Sequence, residues 1–289
     1  MNTDVPKLIC VNQCPSVVSL VRDRVPKAPA AVLSLGRVEY GRALELQREL
    51  CRLRAEDKIP DILLLLEHPP VITLGRSAKA SNLLVSEAEL ARRGVSLYRI
   101  ERGGDVTFHG PGQLIGYPVF KLEAGLAGVR RFVERVEAAL VSALAELGVK
   151  SGLRPGYIGV WCEERKPENG DCTSMGLSPF STLSTGRERK IASIGIAVKR
   201  RVTFHGFALN VTVDLDFFRL MNPCGMPGVV MTSVSSEGGV TDDARVRSAV
   251  VAGFERAFGV EFQEKLPRIL TCLTQDFKTS AIASTSARV

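Results

Sequence analysis

Apolar residues recur along this chain at two spacings, and each spacing predicts a different element. Over residues 41–55, Ala43, Leu44, Leu46, Leu50 and Leu53 sit among Arg and Glu at near-helical intervals, which predicts an amphipathic helix. Val129, Phe132, Val133, Val136, Leu140, Leu144 and Leu147 follow the same repeat, and Gly148 supplies the stop of a second helix. A third is predicted over 242–258: Thr241 is its candidate N-cap, Asp242 and Asp243 lie in its first turn, Val246, Val250, Phe254 and Phe258 point inward, and Gly259 ends it. Elsewhere the pattern is that of strands. Residues 62–67 and 71–74, separated by Pro69 and Pro70, read as two strands with a tight connection. Residues 191–198 and 207–213 carry β-branched and small residues with little charge, as buried strands do. The expected class is α+β, a mixed sheet packed with helices.

Where periodicity fails, the chain's organisation becomes visible. Residues 1–31 mix Pro15, Pro26 and Pro29 with charges and read as an N-terminal extension; Asp4, Asp23 and the lack of an Arg-rich amphipathic pattern argue against a transit peptide. A single domain is expected over 32–270, interrupted by a polar insertion at 162–189, with a frayed tail at 271–289. There is no internal repeat and no heptad run.

Composition narrows the function classes. With 45% hydrophobic residues in 289, one large core can form. The longest apolar run, residues 62–66, is far too short to span a bilayer, so a cytoplasmic protein without a membrane partner is expected, with monomer as the default state. Seven scattered cysteines suit a reducing compartment better than a disulfide framework. The formal charge of +7 favours acidic partners. Its basic residues are spread out, without aromatics between them, which argues against nucleic acid. His68, His109 and His205 lie far apart and none has a partner at ligand spacing, so no metal is expected, and no cofactor.

The candidate chemistry gathers in a few segments. Residues 102–113, Arg-Gly-Gly-Asp-Val-Thr-Phe-His-Gly-Pro-Gly-Gln, combine glycines that permit close backbone approach with Arg, His and Gln. An ordinary Gly-rich loop seldom holds so many polar groups, and the segment lacks the lysine and spacing of a phosphate-binding loop. Lys190 stands at the edge of the 191–198 strand, where most lysines simply point to water. His205-Gly206-Phe207-Ala208-Leu209-Asn210 opens another strand. Asn222-Pro223-Cys224-Gly225 reads as a tight turn that could present a thiol, although a free cysteine is more often an inert small hydrophobe.

In order and spacing these blocks resemble the lipoyl(octanoyl) transferases, the LipB family: Arg102-Gly103-Gly104, Thr107, His109, Gly112-Gln113 and Tyr117; Lys190 with Ser193-Ile194-Gly195; the block at 205–210; and the turn at Cys224. The resemblance covers roughly residues 32–262. It implies a fold similar to the catalytic domains of biotin protein ligases and lipoate ligases. It also implies catalytic residues Cys224 and Lys190, and acyl-binding segments comprising Arg102, Gly103, Gly104, Asp105, Val106, Thr107, Phe108 and His109; Ser193, Ile194 and Gly195; and Gly206, Phe207 and Ala208. Phe108, Tyr117, Leu209 and Ile194 are candidate apolar walls. Residues 162–189 are additional to the family pattern.

The implied reaction moves an octanoyl group from octanoyl-acyl carrier protein to a lysine of a lipoyl domain, in 2-oxoacid dehydrogenase complexes and glycine cleavage H protein, through an acyl-thioester on Cys224. An unassisted thiol is only slightly ionised at neutral pH, and a cation beside it favours the anion; Lys190 would supply that charge. The alternatives are an ATP-dependent lipoate or biotin-type ligase, which needs no nucleophilic cysteine, a lipoyl-amidotransferase, and a noncatalytic module that only binds the carrier or the lipoyl domain.

Overall fold

The computed structural model describes residues 28–122, 126–163, 188–263 and 270. Through them run β1 (Ala28–Arg37), α1 (Tyr40–Ala55), β2 (Asp61–Glu67), β3 (Val71–Leu74), α2 (Glu87–Arg92), β4 (Ser96–Arg99), β5 (Val106–His109), β6 (Gln113–Val119), α3 (Leu126–Glu146), β7 (Gly152–Arg154), β8 (Tyr157–Glu163), β9 (Glu188–Lys199), β10 (Val202–Asn210), β11 (Val230–Met231), α4 (Asp243–Phe258) and β12 (Val260–Gln263). The large sheet has the order β12-β1-β2-β6-β10-β9-β8-β7, with β11 beside β9; β4-β3-β5 form a second, three-stranded sheet. β1 pairs in parallel with β2 and β12, whereas β2-β6-β10-β9-β8 are antiparallel, so the large sheet is mixed.

Successive strand residues point to opposite faces, and β2 is buried on both. Leu63 and Leu65 join a core cluster with α3 and α4, while Ile62, Leu64 and Leu66 join another beneath α1. A strand covered by helices on both faces has no position left for a polar side chain, which is why it reads as one apolar run. The small sheet has its own cluster, where Ile72, Leu74, Val106 and Phe108 pack against Leu90, Phe218 and Met221.

The three predicted helices form close to their expected bounds. The cap of α4 is Asp242 rather than Thr241: its carboxylate accepts the Arg245 N–H at 2.9 Å. β1 begins at Ala28, so the folded unit takes in four residues ahead of the expected boundary at Val32 and pairs them with β12. The last strand expected at 207–213 instead spans Val202–Asn210, because the Val211 and Thr212 amides turn away to the Gly112 carbonyl and the polar Thr203 and His205 hide the earlier half. Residues 162, 163, 188 and 189 of the expected insertion are paired strand. The remainder of it, residues 1–27 and the tail at 271–289 lie outside the described residues.

β2 and β3, predicted as neighbours, belong to different sheets, and His68 fixes the crossing between them. Its Nδ1–H donates to the Val38 carbonyl at 2.6 Å, and the Tyr117 hydroxyl donates to Nε2 at 2.7 Å. Burial pulls the pKa of His68 down to about 4, and burial does the same to His205, also to about 4. Unfolded, each titrates near about 6.5. With the folded value depressed, the unfolded chain binds more protons below that pH, so stability is lost as pH falls from 6.5 towards 4, by about 2 kcal/mol per histidine at pH 5. Thermal melts between about pH 7.5 and pH 5 are expected to show Tm falling by at least about 5 °C; a flat Tm over that window would mean that neither imidazole is held neutral.

Candidate active site

Cys224 rides on the short turn Pro223–Gly225, which a cage of amides and one carboxylate holds in place. The Asn222 N–H donates to the Asn82 carbonyl at 2.8 Å, Asn82 Nδ2 donates to Asp105 Oδ2 at 2.7 Å, and Asp105 Oδ1 accepts the Val106 N–H at 2.7 Å. A Cβ at Gly225 would stand 2.6 Å from Asp105 Oδ2, so the carboxylate can approach only a glycine there. Cys224 itself has φ 57° and ψ 22°, a left-handed conformation that costs an L residue about 1–2 kcal/mol. Such strain persists where surrounding structure over-determines it, and it clusters at functional sites.

Lys190 comes from β9 and is 2% exposed. Its Nζ donates to Cys224 Sγ at 3.2 Å and to the Ile158 carbonyl at 3.0 Å, and lies 5.1 Å from the centre of the buried Trp161 ring. Room for it is made on β8, whose pairing with β9 shifts register between Val160 and Trp161. Gly159 has φ +123°, and a Cβ there would lie 2.7 Å from Lys190 Cε and 2.6 Å from the Ala192 carbonyl oxygen.

Beside this pair is a narrow cavity of about 50 Å³. Of the expected acyl-binding residues, Arg102, Gly104, Asp105, Thr107, His109, Ser193, Ile194, Gly195, Gly206, Phe207 and Ala208 line it, with Tyr117. Gly103, Val106 and Phe108 do not. Gly103 ties its loop to β9 through a 2.9 Å bond from its N–H to the Ile196 carbonyl. β5 sends Thr107 and His109 to the cavity and Val106 and Phe108 to the opposite face, where Phe108 stacks on Phe217 with ring centres 4.6 Å apart. Leu209, expected as a wall, lies in the core against α3 and α4.

The mostly apolar walls also carry buried polar side chains. Arg102 is buried and donates from Nη2 to the Thr73 carbonyl at 2.7 Å and Oγ1 at 2.9 Å, and from Nη1 to the Gly103 carbonyl at 3.0 Å. Burial pulls its pKa down. His109 Nδ1–H donates to Gln113 Oε1 at 3.3 Å, Gln113 Nε2 to Asn210 Oδ1 at 2.9 Å, and Asn210 Nδ2 to the Thr232 carbonyl at 2.9 Å. Burial drives His109 well below its usual range, helped by neighbouring His68 and Arg102. His205 also lines the cavity, with both ring nitrogens buried and without a partner among the described residues.

Sequence reasoning missed Tyr40, whose ring stacks on His109 with centres 6.2 Å apart, and Thr73 and Asn82, which seat Arg102 and the cysteine turn. Tyr40 opens α1 and reads as an ordinary helix residue. Nothing in the local pattern marks Thr73 or Asn82. Among the described residues no three His, Cys, Asp or Glu side chains gather as metal ligands.

A thiol with an amine in hydrogen-bond reach, beside a partly apolar cleft, has the geometry that nucleophilic chemistry requires. The sequence profile of the lipoyl protein ligase A/B catalytic domain matches residues 39–255. An octanoyltransferase of Koribacter versatilis is 42% identical over 81% of this chain and 85% of that protein, and an octanoyltransferase of Acidobacterium capsulatum is 42% identical over 80% and 89%. In fold, the chain is similar to a bipartite lipoate protein ligase of Thermoplasma acidophilum, with TM-score 0.59 and 17% identity over 88% of this chain and 92% of that one. The chain therefore belongs to the lipoyl protein ligase A/B catalytic-domain family, and within it to the octanoyltransferases.

Proposed function

We propose that the chain takes an octanoyl group from the thioester of an acyl carrier protein, holds it on Cys224, and delivers it to a lysine amine of a lipoyl domain. The observation that carries this reading is the 3.2 Å contact between Lys190 Nζ and Cys224 Sγ beside the cleft. The proton of the pair sits on Lys190 Nζ, which donates it towards sulfur, and Sγ, as the thiolate, attacks the thioester carbon. The tetrahedral adduct collapses with breakage of the donor's C–S bond, and the departing thiolate takes up that proton. In the second half the neutral acceptor amine attacks the same carbon, Lys190 accepts its surplus proton, and the C–Sγ bond breaks to leave an amide. A thioester is already activated, so no nucleotide enters the balance.

A lipoyl domain as acceptor is supported by the fold's likeness to a ligase described together with its E2 lipoyl domain. An acidic carrier as donor suits a chain of charge +7, and a reducing cytoplasm would keep Cys224 free. The test is intact-mass analysis of the wild-type protein mixed with octanoyl-acyl carrier protein, followed by addition of a lipoyl domain. One octanoyl group is expected on the protein and is then expected to pass to the domain without ATP. Transfer only from free octanoate with ATP would overturn the reading in favour of a ligase.

A further inference from the structure

Of the buried acids that the mechanism above leaves unused, one stands behind the lysine. Glu137, on α3, is 7% exposed, and its Oε1 accepts the Gly159 N–H at 2.9 Å. Gly159 N–H and the Ile158 carbonyl belong to one peptide unit, and in a trans peptide they point in opposite directions. That carbonyl is the oxygen that accepts Lys190 Nζ at 3.0 Å. One peptide of β8 is thus held by a carboxylate on its N–H side and by the lysine on its C=O side. Hydrogen bonds in such a chain polarise one another, the more so out of water.

We propose that Glu137 is a positioning residue for Lys190: acting through the Ile158–Gly159 peptide, it completes a chain that runs carboxylate, peptide, amine, thiol. The proposal rests on reading Lys190 and Cys224 as the reacting pair. It has the logic of nucleophile, base and orienting acid found in hydrolase triads, with a backbone amide standing between acid and base. It also accounts for a carboxyl group at the inner face of a helix. Burial pushes the Glu137 carboxyl up, as does Glu134 on the same helix, while the Gly159 N–H and the charge of Lys190 oppose the push. Among the described residues, other charged groups near the pair include Arg154, 5.2 Å from the Trp161 ring centre, with Glu188 beside it, Arg189 with Glu237 on the Gly225 side, and Asp105 and Arg102 on the cleft side.

Glu137→Gln tests this, because it keeps an oxygen for the Gly159 N–H and removes only the charge. Removing a nearby negative charge eases proton loss from the Lys190–Cys224 pair, whichever partner gives up the proton. The pH dependence of Cys224 alkylation by iodoacetamide, followed on the mass of the Cys224 peptide, is therefore expected to move to lower pH by about one unit. In octanoyl transfer, kcat is expected to fall about fivefold to tenfold with the donor KM unchanged. Glu137→Leu, which removes the buried polar group altogether, is expected to move the alkylation curve the same way, and serves should the Gln variant fold poorly. Alkylation curves that superimpose on wild type in the variant that folds overturn the proposal. Alkylation uses no acyl substrate, so that failure is distinct from a failure of the wild-type protein to transfer octanoate.

Discussion

Cys224→Ser is expected to lower octanoyl transfer by at least about 10³-fold while leaving the fold intact. The exchange replaces sulfur by oxygen at a half-buried turn position, so packing changes little. The left-handed backbone and its cage of Asn82, Asn222 and Asp105 do not involve Sγ. What changes is the nucleophile. A hydroxyl beside the same amine is a far weaker attacking group than a thiol, and an ester formed on it would surrender its acyl group to an amine more slowly than a thioester. Steady-state transfer and intact mass together read both effects: turnover is lost, and any acyl adduct that forms on the substituted hydroxyl persists after the lipoyl domain is added. Turnover within tenfold of wild type would remove Cys224 from the reaction.

How far the sequence foretold this site depends on what each residue's signal was. The three long helices were legible because their inward stripes repeat over several turns, whereas α2, under two turns long, has no such stripe. β2 was legible because burial on both faces left it without polar residues. The cysteine turn, the lysine and the Gly-rich segment were legible as blocks, yet a block is contiguous in sequence and a cleft is not. Within residues 102–109 the alternation of β5 sends Val106 and Phe108 into the core of the small sheet, away from the cavity. That division of the segment was available from strand period alone. Thr73, Asn82 and Glu137 were not available by any such route, because Thr73 is a lone polar residue on an apolar strand, while Asn82 and Glu137 sit among other polar residues of their own segments. The meaning of each comes from a partner between 22 and 140 positions away. Tyr40 belongs with them. The wall around the cleft is assembled from α1, β5, β6, β9 and β10, and only the sheet order brings those strands together.

The second large effect is expected at Lys190. Ordinarily a buried lysine is a liability to the fold, since its charge loses water and its long side chain loses freedom; here those costs are offset by the Ile158 carbonyl, the Cys224 sulfur and the Trp161 ring. Lys190→Met keeps most of the volume against Trp161 and Gly159 and removes the amine. Its Tm is expected to stay within about 5 °C of wild type, because lost hydrogen bonds and relieved desolvation act in opposite directions. Its chemistry is not expected to survive: without the proton acceptor, discharge of a preformed acyl-enzyme to the lipoyl domain should slow by about 10²-fold or more. Single-turnover discharge measures that step apart from donor binding. If the acyl-enzyme of Lys190→Met empties at the wild-type rate, the incoming amine finds its base elsewhere, and the place of Lys190 is confined to forming the thioester; if it stalls while the protein melts normally, the loss belongs to the proton acceptor and not to the packing around it.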